Sequence, residues 1–294
     1  SPHQRNDDRA VSMLLAAALL LLWQPGVERI TIAPTNADAA QLSKAMTPRV
    51  TFHANEASAT RAPWVDSNGW RYLRQPDGHF YCEAPGAAAA ALAAAEAFAY
   101  GVHVAIHTDA AGLGPLTKML AFLGNAKGGD FSPLVNIGFV DDGSAESGEF
   151  MNLLVRRNLL FRVVKQADPK LDLTVTPGSA EYPKAEAANP SLLAEKVRSN
   201  LTDAKRLLRI YGSEVVVGRL VGSGGSVRLY LINYGAARSP ARGVRVRVRG
   251  TFTKQQAAQF DSPDTSLMDV STDSGATEFT LPELKTFAMI NLAK

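Results

Sequence analysis

Val135-Asn136-Ile137-Gly138-Phe139-Val140, then Asp141-Asp142-Gly143-Ser144, then an amphipathic run from Ser147 to Asn158, then Leu160-Phe161-Arg162-Val163-Val164: this stretch decides the fold. A short apolar run bounded by turn residues marks a strand buried on both faces, and the 3.6-residue period after it marks a helix. Leu171-Asp172-Leu173-Thr174-Val175 reads as a further strand, and Asn189-Pro190 announces a helix from Ser191 to about Leu201. Residues 127–206, entered through the linker Lys127-Gly128-Gly129-Asp130, therefore predict a doubly wound parallel sheet.

Downstream the period falls to two. Val215-Val216-Val217, Val227 to Ile232, Val244 to Arg249, Thr277 to Leu281 and Phe287 to Ile290 are strands parted by Gly, Ser, Pro and Asp turns. Residues 207–294 accordingly predict a C-terminal antiparallel β-sandwich. Upstream, Val27 to Pro34 reads as a strand, Ala37 to Met46 as a helix and Val50 to Ala54 as a second strand, a βαβ rhythm. Asp77-Gly78, between Trp70-Arg71-Tyr72-Leu73 and His79-Phe80-Tyr81-Cys82, has the form of a hairpin turn. An alanine-rich helix from about Ala87 to Tyr100 stops at Gly101 and feeds the strand Val102 to His107, and a helix from Leu113 to Leu123 closes the region. Residues 27–126 thus form an α/β region, and the whole chain is α/β followed by all-β. Residues 1–26 hold an apolar run, Ala10 to Trp23, which suits either a helix packed within the protein or a retained signal sequence. It is too short for a comfortable membrane span. The signal reading gives a secreted or periplasmic protein and the structural helix a cytoplasmic one.

The 294 residues carry 31 basic and 28 acidic side chains, a net charge of +3, which argues against a nucleic-acid partner. With 46% hydrophobic and 20% charged residues the chain fills ordinary cores. The single Cys82 excludes an internal disulfide and a cysteine zinc cluster. No phosphate-binding loop, dinucleotide fingerprint, nucleophile elbow or zinc-protease helix signature occurs, so no cofactor is implied. All five histidines lie at or before His107, which leaves the later regions without imidazole or thiol. His103 and His107, four apart in a strand, are about 13 Å distant by the rise per residue, and no metal site is expected.

Two polar stretches close strands where open α/β sheets bind ligands: His107-Thr108-Asp109, and Asp141 to Ser144, which reads equally as a helix cap. Arg245, Arg247 and Arg249 alternate with Val244, Val246 and Val248, giving either a solvated face or a contact for an anionic partner. Carboxylates of the first region are the candidates for chemistry. Glu56, after His53-Ala54-Asn55, stands at a strand's carboxyl end, and Glu83 lies among aromatic residues. Cleaving a glycosidic bond needs two carboxyl groups in opposite protonation states, and Trp64, Trp70 and Tyr72 offer stacking faces for a sugar. The expected catalytic pair is Glu56 as proton donor with Glu83, and the expected substrate contacts are His53, Asn55, Trp64, Trp70 and Asp109. The alternative keeps Glu56 as a surface acid and the tryptophans as core.

The domain order, carried by Ala95-Glu96-Ala97-Phe98-Ala99-Tyr100-Gly101, Asn136 to Asp142 and Leu229 to Gly235, resembles the carboxyl-terminal part of bacterial β-galactosidase-type glycoside hydrolases. The resemblance implies a partial barrel-like or open α/β region, an amidotransferase-like middle sheet without its nucleophile that serves trimerisation, and a small sandwich. His53-Ala54-Asn55-Glu56 is similar to the Asn-Glu pair that ends a barrel strand in many retaining glycosidases. A complete (β/α)8 barrel needs about 200 residues or more, yet fewer precede residue 127. The implied protein is carbohydrate-active, hydrolysing or binding glycosides, with a carbohydrate or other small molecule as ligand and a homo-oligomeric assembly. Its rival is a non-catalytic oligomerisation or ligand-binding protein derived from such an enzyme.

Overall fold

The computed structural model describes residues 27–32, 50–53, 63–126 and 131–294. In chain order the elements begin with β1 (Ile30–Ile32), β2 (Thr51–His53), β3 (Trp64–Asp66), α1 (Gly69–Arg74), β4 (His79–Glu83), α2 (Ala87–Tyr100), β5 (His103–His107) and α3 (Ala110–Gly124). There follow β6 (Ser132–Pro133), β7 (Ile137–Val140), α4 (Ala145–Arg156), β8 (Phe161–Val164), β9 (Leu173–Val175) and α5 (Pro190–Leu201). The chain closes with β10 (Leu208–Tyr211), β11 (Val216–Ser223), β12 (Ser226–Asn233), β13 (Ala241–Arg249), β14 (Lys254–Gln259), β15 (Met268–Asp273), β16 (Ala276–Leu284) and β17 (Phe287–Ala293). Two compact units result: residues 1–49 with 76–129, and residues 50–75 with 130–294. The apolar segment 10–23, the helix expected over 37–46, and Asn55 and Glu56 lie outside the described residues.

The first unit is an open parallel sheet of order β1-β5-β4. Ile30 pairs with Val104, and His79 with His103. The α2 helix ends as its sequence requires: Gly101 takes φ +67°, and its N–H closes the last turn. The expected hairpin at Asp77-Gly78 does not form. Residues 69–74 are helical, and β4 joins β5 in parallel, so Phe80, Tyr81 and Cys82 are all buried. That continuous burial belongs to a parallel strand, whereas a hairpin would have alternated. The expected βαβ pairing of the first two strands also gives way. β2 runs antiparallel to β3, with Thr51 opposite Asp66, while β1 pairs with β5.

In the second unit β7 lies between β8 and β9, all parallel, with Ile137 opposite both Phe161 and Leu173. Two antiparallel sheets follow, β14-β17-β12-β11-β6 and β10-β13-β16-β15. Their inner faces share one core, in which Val244, Val246, Val248, Phe279 and Leu281 of one sheet meet Leu229, Leu231, Ile290 and Leu292 of the other. Each such fully buried side chain contributes roughly 1.5–3 kcal/mol. The outward partners of those valines are arginines tied by charge: Arg245 and Arg247 stand 2.6 and 3.4 Å from Glu278. The face is therefore internally paired, as the solvated reading expects.

Three sheet edges, β6, β14 and β15, are not among the strands read from sequence. Ser132–Pro133 adds a short strand to β11, with Pro133 opposite Val221. Gly222 makes this possible, because a Cβ there would sit 2.9 Å from Leu134. Strand β14, Lys-Gln-Gln-Ala-Ala-Gln, is polar, and β15 is wholly exposed, so neither carries a periodic apolar signal. Among the described residues no helix is long and apolar enough to cross a membrane.

Candidate functional site

The carboxyl end of β7 opens into Asp141-Asp142-Gly143-Ser144, and each polar group there closes a loop or starts a helix. Ser144 caps α4 by accepting from the Ser147 N–H at 3.2 Å. Asp142 accepts from the Ser147 hydroxyl at 2.6 Å and the Ser144 N–H at 3.0 Å, and it pairs with Lys184 at 2.5 Å. Lys184 first, then the two serines, holds the Asp142 carboxyl far below the usual carboxylate range. Asp141 accepts from Arg74 at 2.9 Å and from the Gly143 N–H at 3.0 Å.

Arg74 belongs to α1, and α1 packs on α4. The contact is close because position 148 is glycine: a Cβ there would lie 2.9 Å from the Trp70 ring. Trp70 donates its indole N–H to Asp66 Oδ1 at 3.0 Å, and the Arg71 and Arg74 guanidinium groups lie 4.3 and 5.3 Å from its ring centroid. Trp64, two residues before Asp66 in β3, has the Arg156 guanidinium 4.3 Å from its ring. Glu149 on α4 completes the cluster. Burial raises its carboxyl and the Asp66 charge adds to the rise, while Arg156, Arg71 and Asn152 oppose it. One acid, Asp66, is thus bonded to an indole and an arginine, and a second, Glu149, is biased toward its protonated form.

The acids of this cluster are Asp66 and Glu149, neither of which is among the candidates read from sequence. The sequence held a partial signal: Asp66 and Trp70 are four apart, and Glu149 sits in the amphipathic helix. Nothing local marks Glu149 as half-buried or brings it near Asp66.

The residues read from sequence are divided between the units. Glu83 ends β4 in the first unit, exposed and in register with His107. Asp109 begins α3 in the same unit, its Oδ1 accepting from the Gly86 N–H at 3.0 Å and the Gly112 N–H at 2.9 Å. Those two amides, Gly86 foremost, lower its carboxyl. Trp64 and Trp70 belong to the second unit, as does His53, which stands opposite Trp64 in the β2–β3 pair. The His79 and His103 rings stack at 4.7 Å. Among the described residues no three His, Cys, Asp or Glu side chains are grouped to hold a metal.

No family model matches the chain, and no curated protein matches it. Solved structures do. The α-L-fucosidase isoenzyme 2 of Paenibacillus thiaminolyticus is similar at TM-score 0.60 and 10% identity, over 76% of this chain and 62% of that one. The rhamnosidase of Novosphingobium sp. PP1Y gives TM-score 0.42 at 11% identity, over 73% of this chain and 31% of that one. The β-galactosidase of Bacillus circulans sp. alkalophilus gives TM-score 0.41 at 10% identity, over 67% and 51%. The chain spans about three-fifths of the fucosidase chain, and the likeness is one of fold. Over the part covered, the fold is like that of the fucosidase chain.

Proposed function

We propose that this chain is a carbohydrate-active, glycoside-hydrolase-like protein whose described part binds and assembles rather than hydrolyses. The middle parallel sheet is taken as the amidotransferase-like module and the sandwich as its companion, presenting a sugar ligand and a surface for further copies of the chain. One observation carries this reading: four carboxylates near the strand ends, Asp66, Asp109, Asp141 and Asp142, are already engaged. Asp66 is held by two N–H groups of Arg71, Asp109 by two backbone amides, Asp141 by Arg74 and Asp142 by Lys184. Asp109 and Asp142, whose carboxyls these donors lower, do not supply a proton to a departing alcohol, and Asp66 and Asp141 already have their oxygens engaged.

The test is a panel of neutral monosaccharides and aryl glycosides offered to the full chain. The expected result is ligand-dependent thermal stabilisation without turnover, together with a defined oligomer by light scattering. A monomer that no sugar stabilises would sink the proposal.

A hydrolytic reading has a specific observation in its favour, the raised Glu149 carboxyl within the electrostatic reach of Asp66, which is itself bonded to Trp70. It retains Glu56 and Glu83 as the acids read from sequence. It requires aryl-glycoside turnover that Glu149→Gln or Glu56→Gln abolishes while circular dichroism is unchanged.

A further inference from the structure

A cavity of about 250 Å³ opens in the second unit, lined by the carboxyl end of α4, by α5 and by the turn between β10 and β11. Four arginines line it, Arg156, Arg157, Arg198 and Arg206, against one carboxylate, Glu214. The acids that answer these guanidinium groups are all more than half exposed. Glu214 is 3.7 Å from Arg157, Asp203 is 3.7 Å from Arg206, and Glu195 is 3.1 Å from Arg198. Arg206 itself is only 9% exposed and donates through Nη2 to the Arg157 carbonyl at 3.2 Å. Its Nε–H and that of Arg198 are buried and have no hydrogen-bond partner among the described residues.

A buried guanidinium N–H without an acceptor is costly, and natural structures seldom leave one so. Helix dipoles account for cations at the carboxyl ends of α4 and α5, but not for unmatched donors on arginines that line a small volume. The crowding is felt by the groups themselves. Burial, then the neighbouring Arg157, pushes Arg156 down to about 10, and burial with Arg198 and Arg209 lowers Arg206. An oxyanion supplies both missing items, a counter-charge and planar or tetrahedral acceptors matched to the guanidinium fork. The volume lies below that of pockets for drug-sized ligands, which limits the guest to a small molecule.

We propose that this cavity binds the oxyanion group of a small molecule, a carboxylate, sulfate or phosphate, held by Arg157, Arg198 and Arg206. The inference does not depend on the carbohydrate reading. It is tested by calorimetric titration of the full chain at fixed ionic strength with inorganic phosphate, sulfate, glucuronate and glucose 6-phosphate, with glucose as the neutral control. Saturable binding of at least one anion and none of glucose is expected at this site. If phosphate or sulfate binds as tightly as the sugar-borne groups, the oxyanion alone is recognised, and if only the latter bind, the sugar is part of the ligand. Arg198→Gln and Arg157→Gln, at partly exposed positions that the fold tolerates, should each weaken binding by about tenfold or more. Failure of all four anions to bind saturably, or affinities unchanged in both variants, overturns the proposal.

Discussion

Asp66 and Arg71 meet fork to fork, with Arg71 Nη2 3.0 Å from Asp66 Oδ2 and Arg71 Nη1 3.2 Å from Asp66 Oδ1. The same Nη1 also reaches the Ser67 carbonyl at 2.9 Å, so one guanidinium ties the end of β3 to the start of α1. The pair is partly buried, its side chains 16% and 27% exposed, between the surface and interior regimes. Asp66→Asn is expected to cost roughly 1–3 kcal/mol in urea unfolding, because the guanidinium loses its counter-charge in a partly dry site. The indole of Trp70 shares Asp66, and its fluorescence should shift with the substitution.

Gly148→Ala should destabilise the second unit. The added methyl would stand 2.9 Å from two atoms of the rigid Trp70 ring, and α1 and α4 can admit it only by separating. Overpacking of this kind costs about 1–3 kcal/mol. Gly143→Ala, where a Cβ meets nothing within 4 Å, serves as the comparison. Its φ of +77° gives it a backbone cost without a packing one. Denaturation midpoints together with the tryptophan spectrum separate the two effects.

Glu149 gives a pH dependence of definite sign. Its carboxyl is raised in the folded state, so between the unfolded value near about 4.3 and the folded one the native protein holds more protons than the unfolded chain. Stability from this group is complete below that window and declines as pH rises through it. Glu149→Gln removes the decline. The variant should therefore be the more stable protein at pH 7, with the difference shrinking by pH 4, as chemical denaturation at the two pH values would show.

Asn233 is fully buried at the end of β12, and its amide group is completely used. Nδ2 reaches the carbonyls of Ser239, Leu284 and Lys285 at 3.2, 3.1 and 2.9 Å, and Oδ1 accepts from the Gly235 N–H at 2.9 Å. Asn233→Ala strands several buried backbone groups and should cost about 2–4 kcal/mol, several times the net value of one hydrogen bond. Asn233→Asp sets a carboxylate against carbonyl oxygens. It should unfold more readily at pH 7 than at pH 4, where protonation returns a donor.

Much of the architecture was legible because its signals are local. The αL turn at Gly101, the Ser144 cap and the valines of β13 behave as their residue types require. The cluster around Trp64 and Trp70 was not legible in the same way. Asp66 and Glu149 meet through the packing of α1 on α4, which no spacing along the chain encodes. Glu83 and Asp109 lie at strand ends as read, but Asp109 serves to cap α3.

Periodicity and end chemistry told, from residues alone, where strands and helices run and that parallel layers precede antiparallel ones, since side-chain alternation and capping depend on near neighbours. Partner choice depended on the folded whole. Tertiary structure set β2 against β3, drew Ser132–Pro133 onto β11, and gathered arginines from α4, α5 and the segment before β10 around one cavity. Such meetings rest on competition among distant contacts and on which charges leave water, and neither is written in any short stretch of the chain.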